Sequence, residues 1–213
     1  MPAMEIAVRK VKEGRLEDFK TARSNFIALL KKQDGILADR EFESFFALPQ
    51  PDEQPVFIGM TLYESMETVQ AVSAALLETP EAAAFFDTFD FKAYVFVSPP
   101  EGFDLATVAR GAGEVLEVAV RAVNAGKEGA FETTRDAFVA LLTSQDGAGA
   151  SYEFEVLGED EAGRNITVGM TVYESQEKFQ AILGNIQQNQ VTGEYFQTFV
   201  PAAAQYALSV SNQ

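Results

Sequence analysis

Seven residues occur almost verbatim twice in this chain, GMTLYES at 59–65 and GMTVYES at 169–175. They belong to a longer repeat. Residues 8–35 fall on 120–147 with fourteen of 28 positions identical, among them Val8, Arg9, Gly14, Phe19, Arg23, Phe26 and the QDG at 33–35. Residues 59–71 then match 169–181 at nine of 13 positions, the second copy having lost two residues in between, and FFDTF at 85–89 meets YFQTF at 195–199. Solenoid units are only about 20–50 residues long, so a repeat of this period signals duplicated domains. The chain divides into a first repeat at 1–98, a linker at 99–112 and a second repeat at 113–213.

Each copy carries the same run of elements. MEIAVRKV reads as a strand. Phe19, Arg23, Phe26 and Leu30 recur at helical spacing, and Gly35 is the candidate left-handed cap that closes that helix. REFESFF and VFIGMTLYE are strands around the turn-rich PQPDEQP. Ser65 is placed to cap a helix through METVQAVSAALL, with Glu67 in its first turn. Pro80 breaks that helix, EAAAFFDTF forms a short one, and KAYVFV is the last strand. The order β-α-β-β-α-β, written twice, is the ferredoxin-like unit. One unit packs both helices on one face of its sheet and leaves the other face bare. A second unit supplies the cover, so the fold class is α+β and the chain is a pseudo-dimer; further homodimerisation is left open.

Composition narrows the chemistry. A net charge of −16 repels phosphate backbones and anionic membrane surfaces, which excludes nucleic-acid and membrane partners. The chain has no Cys, hence no disulfide, thiolate ligand or Cys nucleophile, and with no signal-peptide pattern it reads as cytoplasmic. It also has no His, which removes a Ser-His-Asp triad, a His-ligated haem and the usual zinc and iron sites. No metal site and no cofactor is expected. GEDEAG at 158–163 lacks the spacing of a calcium loop and reads as a solvated hairpin tip. GAGEV at 111–115 is an isolated fragment that opens a strand, so it is no phosphate loop.

The stretch TLYESMETVQAVSAALLETPEAAAFFDTF resembles the strand, capped helix and short aromatic helix of antibiotic-biosynthesis-monooxygenase-type proteins. VRKVKEGRLEDFK resembles their first strand, Gly turn and first helix. Those proteins belong to the dimeric α+β barrel superfamily, normally built from two chains, and the resemblance covers both halves here. It implies two ferredoxin-like repeats forming an intramolecular barrel, with a cavity between sheet and helices. It also implies, for some members, oxidation of an aromatic substrate by O₂ without metal or flavin. Other members degrade haem, remove chlorite or have stress-related roles. The helix His of the family pattern falls at Val72 and Ile182, so haem degradation is not expected; the strand-end aromatic is kept as Tyr63 and Tyr173.

Candidate residues follow. Tyr63 and Tyr173 could hydrogen-bond a substrate oxygen or act as acids, or pack as amphipathic core rings. If Val8 faces the helices, Arg9, and by repetition Arg121, face the barrel interior, where Glu41, Glu43, Glu153 and Glu155 of the two EFE strands would meet them. Such a set could hold an acidic or phenolic small molecule, or be an ion-pair network across the two halves. Arg23 and Arg135 lie near the apolar stripe of the first helices and would cover core with their stems. Phe85, Phe86, Phe89, Tyr195, Phe196 and Phe199 would form lids at the sheet edge. Two functions fit: cofactor-independent oxygenation of a small aromatic or quinone-like molecule, with Tyr63, Tyr173, Arg9 and Arg121 orienting it, or a non-catalytic binding or stress-related barrel.

Overall fold

The computed structural model describes residues 1–158 and 163–210. The acidic residues of GEDEAG, 159–161, lie outside the described residues. The first half runs β1 (Ala3–Val11), α1 (Leu16–Leu30), β2 (Ile36–Leu48), β3 (Val56–Tyr63), α2 (Met66–Leu76), α3 (Pro80–Phe86) and β4 (Phe89–Ser98). The second runs β5 (Val115–Val123), α4 (Glu128–Thr143), β6 (Ala148–Leu157), β7 (Asn165–Tyr173), α5 (Gln176–Ile186), α6 (Gln190–Phe196) and β8 (Phe199–Ser209). No helix among the described residues is long and apolar enough to cross a membrane.

The eight strands close into one barrel in the order β1-β3-β2-β8-β5-β7-β6-β4. Edge strands therefore find partners instead of being left open. The two seams differ. β2 pairs with β8 from Phe42 to Leu48, whereas β4 meets β6 only over Phe96–Ser98. The strand lengths explain the difference, since β6 of the second half has 10 residues where β2 of the first has 13.

Alternation sorts side chains to the two barrel faces. Met4, Ile6 and Val8 of β1 and Leu116, Val118 and Val120 of β5 point inward and share one buried core with Ile58, Met60, Val168 and Met170. Burying each such side chain is worth about 1.5–3 kcal/mol. The connection between β4 and β5 adds to this core. Its single 3₁₀ turn, Leu105–Thr107, buries Leu105 completely, and Arg40 holds it by donating to the carbonyls of Leu105, Ala106 and Ala109. Phe103 meets Tyr152 and Phe154 edge-on beside it. The barrel interior is thus packed.

The helices lie outside the barrel. Ser65 and Ser175 cap α2 and α5, each accepting from the backbone N–H three residues on. α1 stops at Leu30, so Gly35 is not its cap; with φ 80° it shapes the turn into β2 instead. Its added Cβ would lie 2.6 Å from Thr68 Cγ2, so even the space is denied.

Candidate functional site

The inward row of β1 being apolar, Arg9 points the other way. The sequence-based expectation that Val8 faces the helices and Arg9 the interior is reversed: Arg9 lies between sheet and helices, with Phe19, Phe85 and Phe89 around its guanidinium at 5.2–5.8 Å. Arg121 does the same over Phe131 at 5.2 Å. Such cation–π contacts are worth about 2 kcal/mol when desolvated. Among the described residues, neither cation joins a network across the halves. Arg9 donates to both Glu41 oxygens at 2.9 and 2.8 Å, and Arg121 Nη1 donates to Glu153 at 3.1 Å. Glu43 and Glu155 join neither set. Both share a face with the pairing Glu but are exposed.

The repeated GMT now has a physical reason. Gly59 sits between Ala7 and Glu41 in the sheet, and Gly169 between Ala119 and Glu153. A Cβ on Gly59 would lie 1.9 Å from Arg9 Nη2, and one on Gly169 would lie 2.9 Å from Glu153 Oε1 and 3.0 Å from Arg121 Nη2. The glycines let each guanidinium lie flat across the strand. Gly59→Ala is expected to cost about 1–3 kcal/mol by overpacking, and Gly169→Ala less, because its clash is milder. Urea unfolding of both variants checks the ranking.

Each Arg shares its face with a second carboxylate that the sequence reading overlooked. EIAVR at 5–9 is matched by EVAVR at 117–121, which places Glu5 with Arg9 and Glu117 with Arg121 on alternate residues of one strand face. The signal was the shared parity of acid and base. Tyr63 donates to Glu5 at 3.0 Å. Tyr173 donates to Glu117 Oε2, and Tyr206 donates to Oε1 at 3.1 Å. Burial raises both carboxyls above the usual carboxylate range, and the phenol hydrogen bonds offset this only in part. Tyr63, Tyr173 and Tyr206 are all pushed up by burial and by the carboxylate they face.

The halves then part company. Between sheet and helices the first half encloses about 60 Å³, the second about 530 Å³. The aligned residues say why. Phe91 and Tyr94 of β4 line the small cavity; Pro201 and Ala204 stand in their places on β8. Arg23 reaches inward to Glu41 and Asp39. Arg135 instead turns back to Asp136, where the first half has Ser24, and Asp39 is replaced by Ser151. The large cavity also gains hydroxyls: Tyr206 for Phe96, Tyr195 for Phe85, Thr192 for Ala82. Tyr195 receives a hydrogen bond from Arg121, and burial pushes its hydroxyl up to about 12.

Most of the remaining wall is apolar: Phe138 and Leu142 of α4, Phe179 and Ile182 of α5, and the aromatic lid residues Phe196 and Phe199. Part of it comes from the other half, since β2 runs past the seam and presents Phe46, Leu48 and then Pro49. Phe85, Phe86 and Phe89, the first half's counterparts of the lid, stack on one another and on Phe26 and fill their space. Of the residues singled out from the sequence, the large cavity gathers Tyr173, Arg121 and Glu153 together with the lid residues Tyr195, Phe196 and Phe199. Tyr63 and Arg9 are as buried as Tyr173 and Arg121, and Glu41 is more buried than Glu153, but the first half has no such space before them.

No protein-family model matches the sequence, and no curated protein matches it significantly. Solved structures do match the fold. An anthrone oxidase-like protein superposes with a TM-score of 0.70 at 11% identity, over 98% of this chain and 91% of that one. A chlorite dismutase variant from Candidatus Nitrospira defluvii gives 0.61 at 10% identity, over 98% and 90%. A candidate monooxygenase from Fusobacterium nucleatum gives 0.58 at 10% identity, over 100% and 98%. At such identities the likeness is one of fold: an α+β architecture around a closed eight-strand barrel, here formed within a single polypeptide.

Proposed function

We propose that the chain is a tandem-duplicated, cytoplasmic, cofactor-independent oxygenase that acts on a small hydroxylated or quinone-like aromatic in the cavity of its second half. One observation carries this reading: of two halves built on the same pattern, one keeps about 530 Å³ with an apolar wall and convergent polar groups. Pockets of roughly 300–1,000 Å³ with that composition are what small organic ligands occupy. The wall of Phe and Ile selects a flat apolar body, and Tyr173, Tyr195 and Arg121 select oxygen substituents at its rim. An electron-rich aromatic anion can pass electrons to O₂ directly, so neither metal nor flavin is required of the protein. The anthrone oxidase-like neighbour suggests anthrones as the class to try first. For these the balance is CH₂ + O₂ → C=O + H₂O.

The test is oxygen uptake over a panel of anthrones, naphthols and hydroquinones, with the matching quinones as ligands in thermal melts. The reading expects uptake with one panel member and one O₂ consumed per product formed. Quinone-dependent stabilisation with no uptake anywhere would leave a binding barrel without chemistry. Neither response would end the small-molecule reading altogether.

A further inference from the structure

Among the described residues lining the second cavity, Glu117 is the carboxylate with no guanidinium bound to it. Resting on the oxygenase reading above, we propose that Glu117 is the proton acceptor of the reaction, held in place by Tyr173 and Tyr206. Each Glu117 oxygen accepts one phenol hydrogen bond. Each keeps a further lone pair, and the side chain lines the cavity. Arg121, on the same strand face, is committed to Glu153 and Tyr195.

The first half serves as an internal comparison. Glu5 has a single phenol, Tyr63, because Phe96 stands where Tyr206 stands, and Tyr94 occupies the space that Ala204 leaves free. Where the halves differ at this place, the second gains room in front of the carboxylate or a hydroxyl beside it. A carboxylate that only closed an ion pair would need neither. Thr192 Oγ1 and Arg121 Nε are buried without a hydrogen-bond partner among the described residues, and both residues line the cavity. They are donors available to an oxygen on which negative charge collects.

The step balances as follows for an anthrone. The Glu117 carboxylate takes one proton of the ring CH₂; the C–H electron pair stays on the ring and spreads to its carbonyl oxygen. O₂, the co-reactant, accepts that pair as the new C–O bond forms. Glu117 returns its proton to the distal oxygen, giving a hydroperoxide. Loss of the second C–H proton with cleavage of the O–O bond leaves C=O and water.

Burial holds Glu117 above the usual carboxylate range, and the hydrogen bonds from Tyr173 and Tyr206 lower it only in part. The ionisable groups that face it are Tyr173 of β7, Tyr206 of β8, Arg121 of its own strand, Glu153 of β6 and Tyr195 of α6. Activity rises with pH as Glu117 ionises. A hydrogen bond from Tyr206 favours the ionised form, so Tyr206→Phe moves that acidic limb to higher pH. The first half carries Phe at the aligned position, which makes this variant compatible with the fold.

The experiment follows two rates on anthrone itself: deuterium entering its CH₂ in D₂O under argon, and O₂ uptake in air, each above the buffer rate. Glu117→Gln is expected to lower both about 10²-fold or more, while anthraquinone still raises its melting temperature. Glu5→Gln is expected to change neither rate. Equal exchange in wild type and Glu117→Gln, or an unmoved acidic limb in Tyr206→Phe, overturns the assignment. Exchange without O₂ uptake removes the oxygenase reading and leaves Glu117 as the base. Uptake that ignores Glu117→Gln does the reverse, and loss of both reactions in wild type removes both.

Discussion

Ala204→Tyr is expected to abolish ligand binding and turnover while leaving the barrel folded. Ala204 pairs with Ala119 on β5 as Tyr94 pairs with Ala7 on β1. The substitution therefore puts into the second half a side chain that the first half already accommodates at the same place in the same sheet. There the ring, with Phe91, leaves about 60 Å³, too little for an aromatic ligand. A substrate that cannot reach the position of Glu117, Tyr173 and Arg121 loses the benefit of orientation, for which small misplacements already cost about 10²-fold. The loss in kcat/KM should be at least that large, and anthraquinone should no longer raise the melting temperature. Filling an existing cavity costs less than forcing a group into a packed core, so the unfolding midpoint in urea should stay near wild type. Wild-type turnover in this variant would mean that the substrate lies elsewhere.

The largest effect on stability is expected from Glu41→Ala. Glu41 is 2% exposed and is gripped by Arg9 and by Arg23. Removing it leaves Arg9, 5% exposed, without a carboxylate under three Phe rings. Breaking a buried pair from one side costs about 3–5 kcal/mol, because the other charge remains desolvated. That is a large part of the total stability of a typical domain, about 5–15 kcal/mol. Glu153→Ala should cost less. The Glu153 side chain is 31% exposed, and the open cavity in front of Arg121 admits water to the orphaned cation. Urea titrations of the two variants, with unchanged slopes, give the comparison. Equal losses would show that the space beside Arg121 does not relieve its charge.

The sequence made the architecture readable because several signals agreed. The element order, the capping serines and the matched halves all pointed to one barrel. It could not tell which barrel face Arg9 occupies. Alternation separates Val8 from Arg9 but does not orient the strand when both faces are covered, and β3 beside it is buried at every residue. A cation under Phe rings reads in sequence like a cation facing any enclosed space. Glu117 was hidden for a different reason. A lone acid in a β-strand suggests a solvated face, and only the shared parity of EIAVR and EVAVR, taken with the burial of both faces, marks it as internal. Glu43 and Glu155 show the converse, because parity alone does not say how far along a strand the helices reach. The unequal cavities were spelled out in Phe91 against Pro201 and Tyr94 against Ala204, but those letters acquire a volume only once the register with β1 and β5 is known.

The passage of β2 into the second half's cavity ties ligand occupancy to the folding of the whole chain. Phe46 packs on Phe179 and Tyr206, and Leu48 and Pro49 complete the wall, so a competent cavity exists only while the β2–β8 seam is closed. A ligand that binds the closed state stabilises it by mass action. It would therefore slow hydrogen exchange at β2 amides of the half it does not enter, and would suppress separate melting of the two halves.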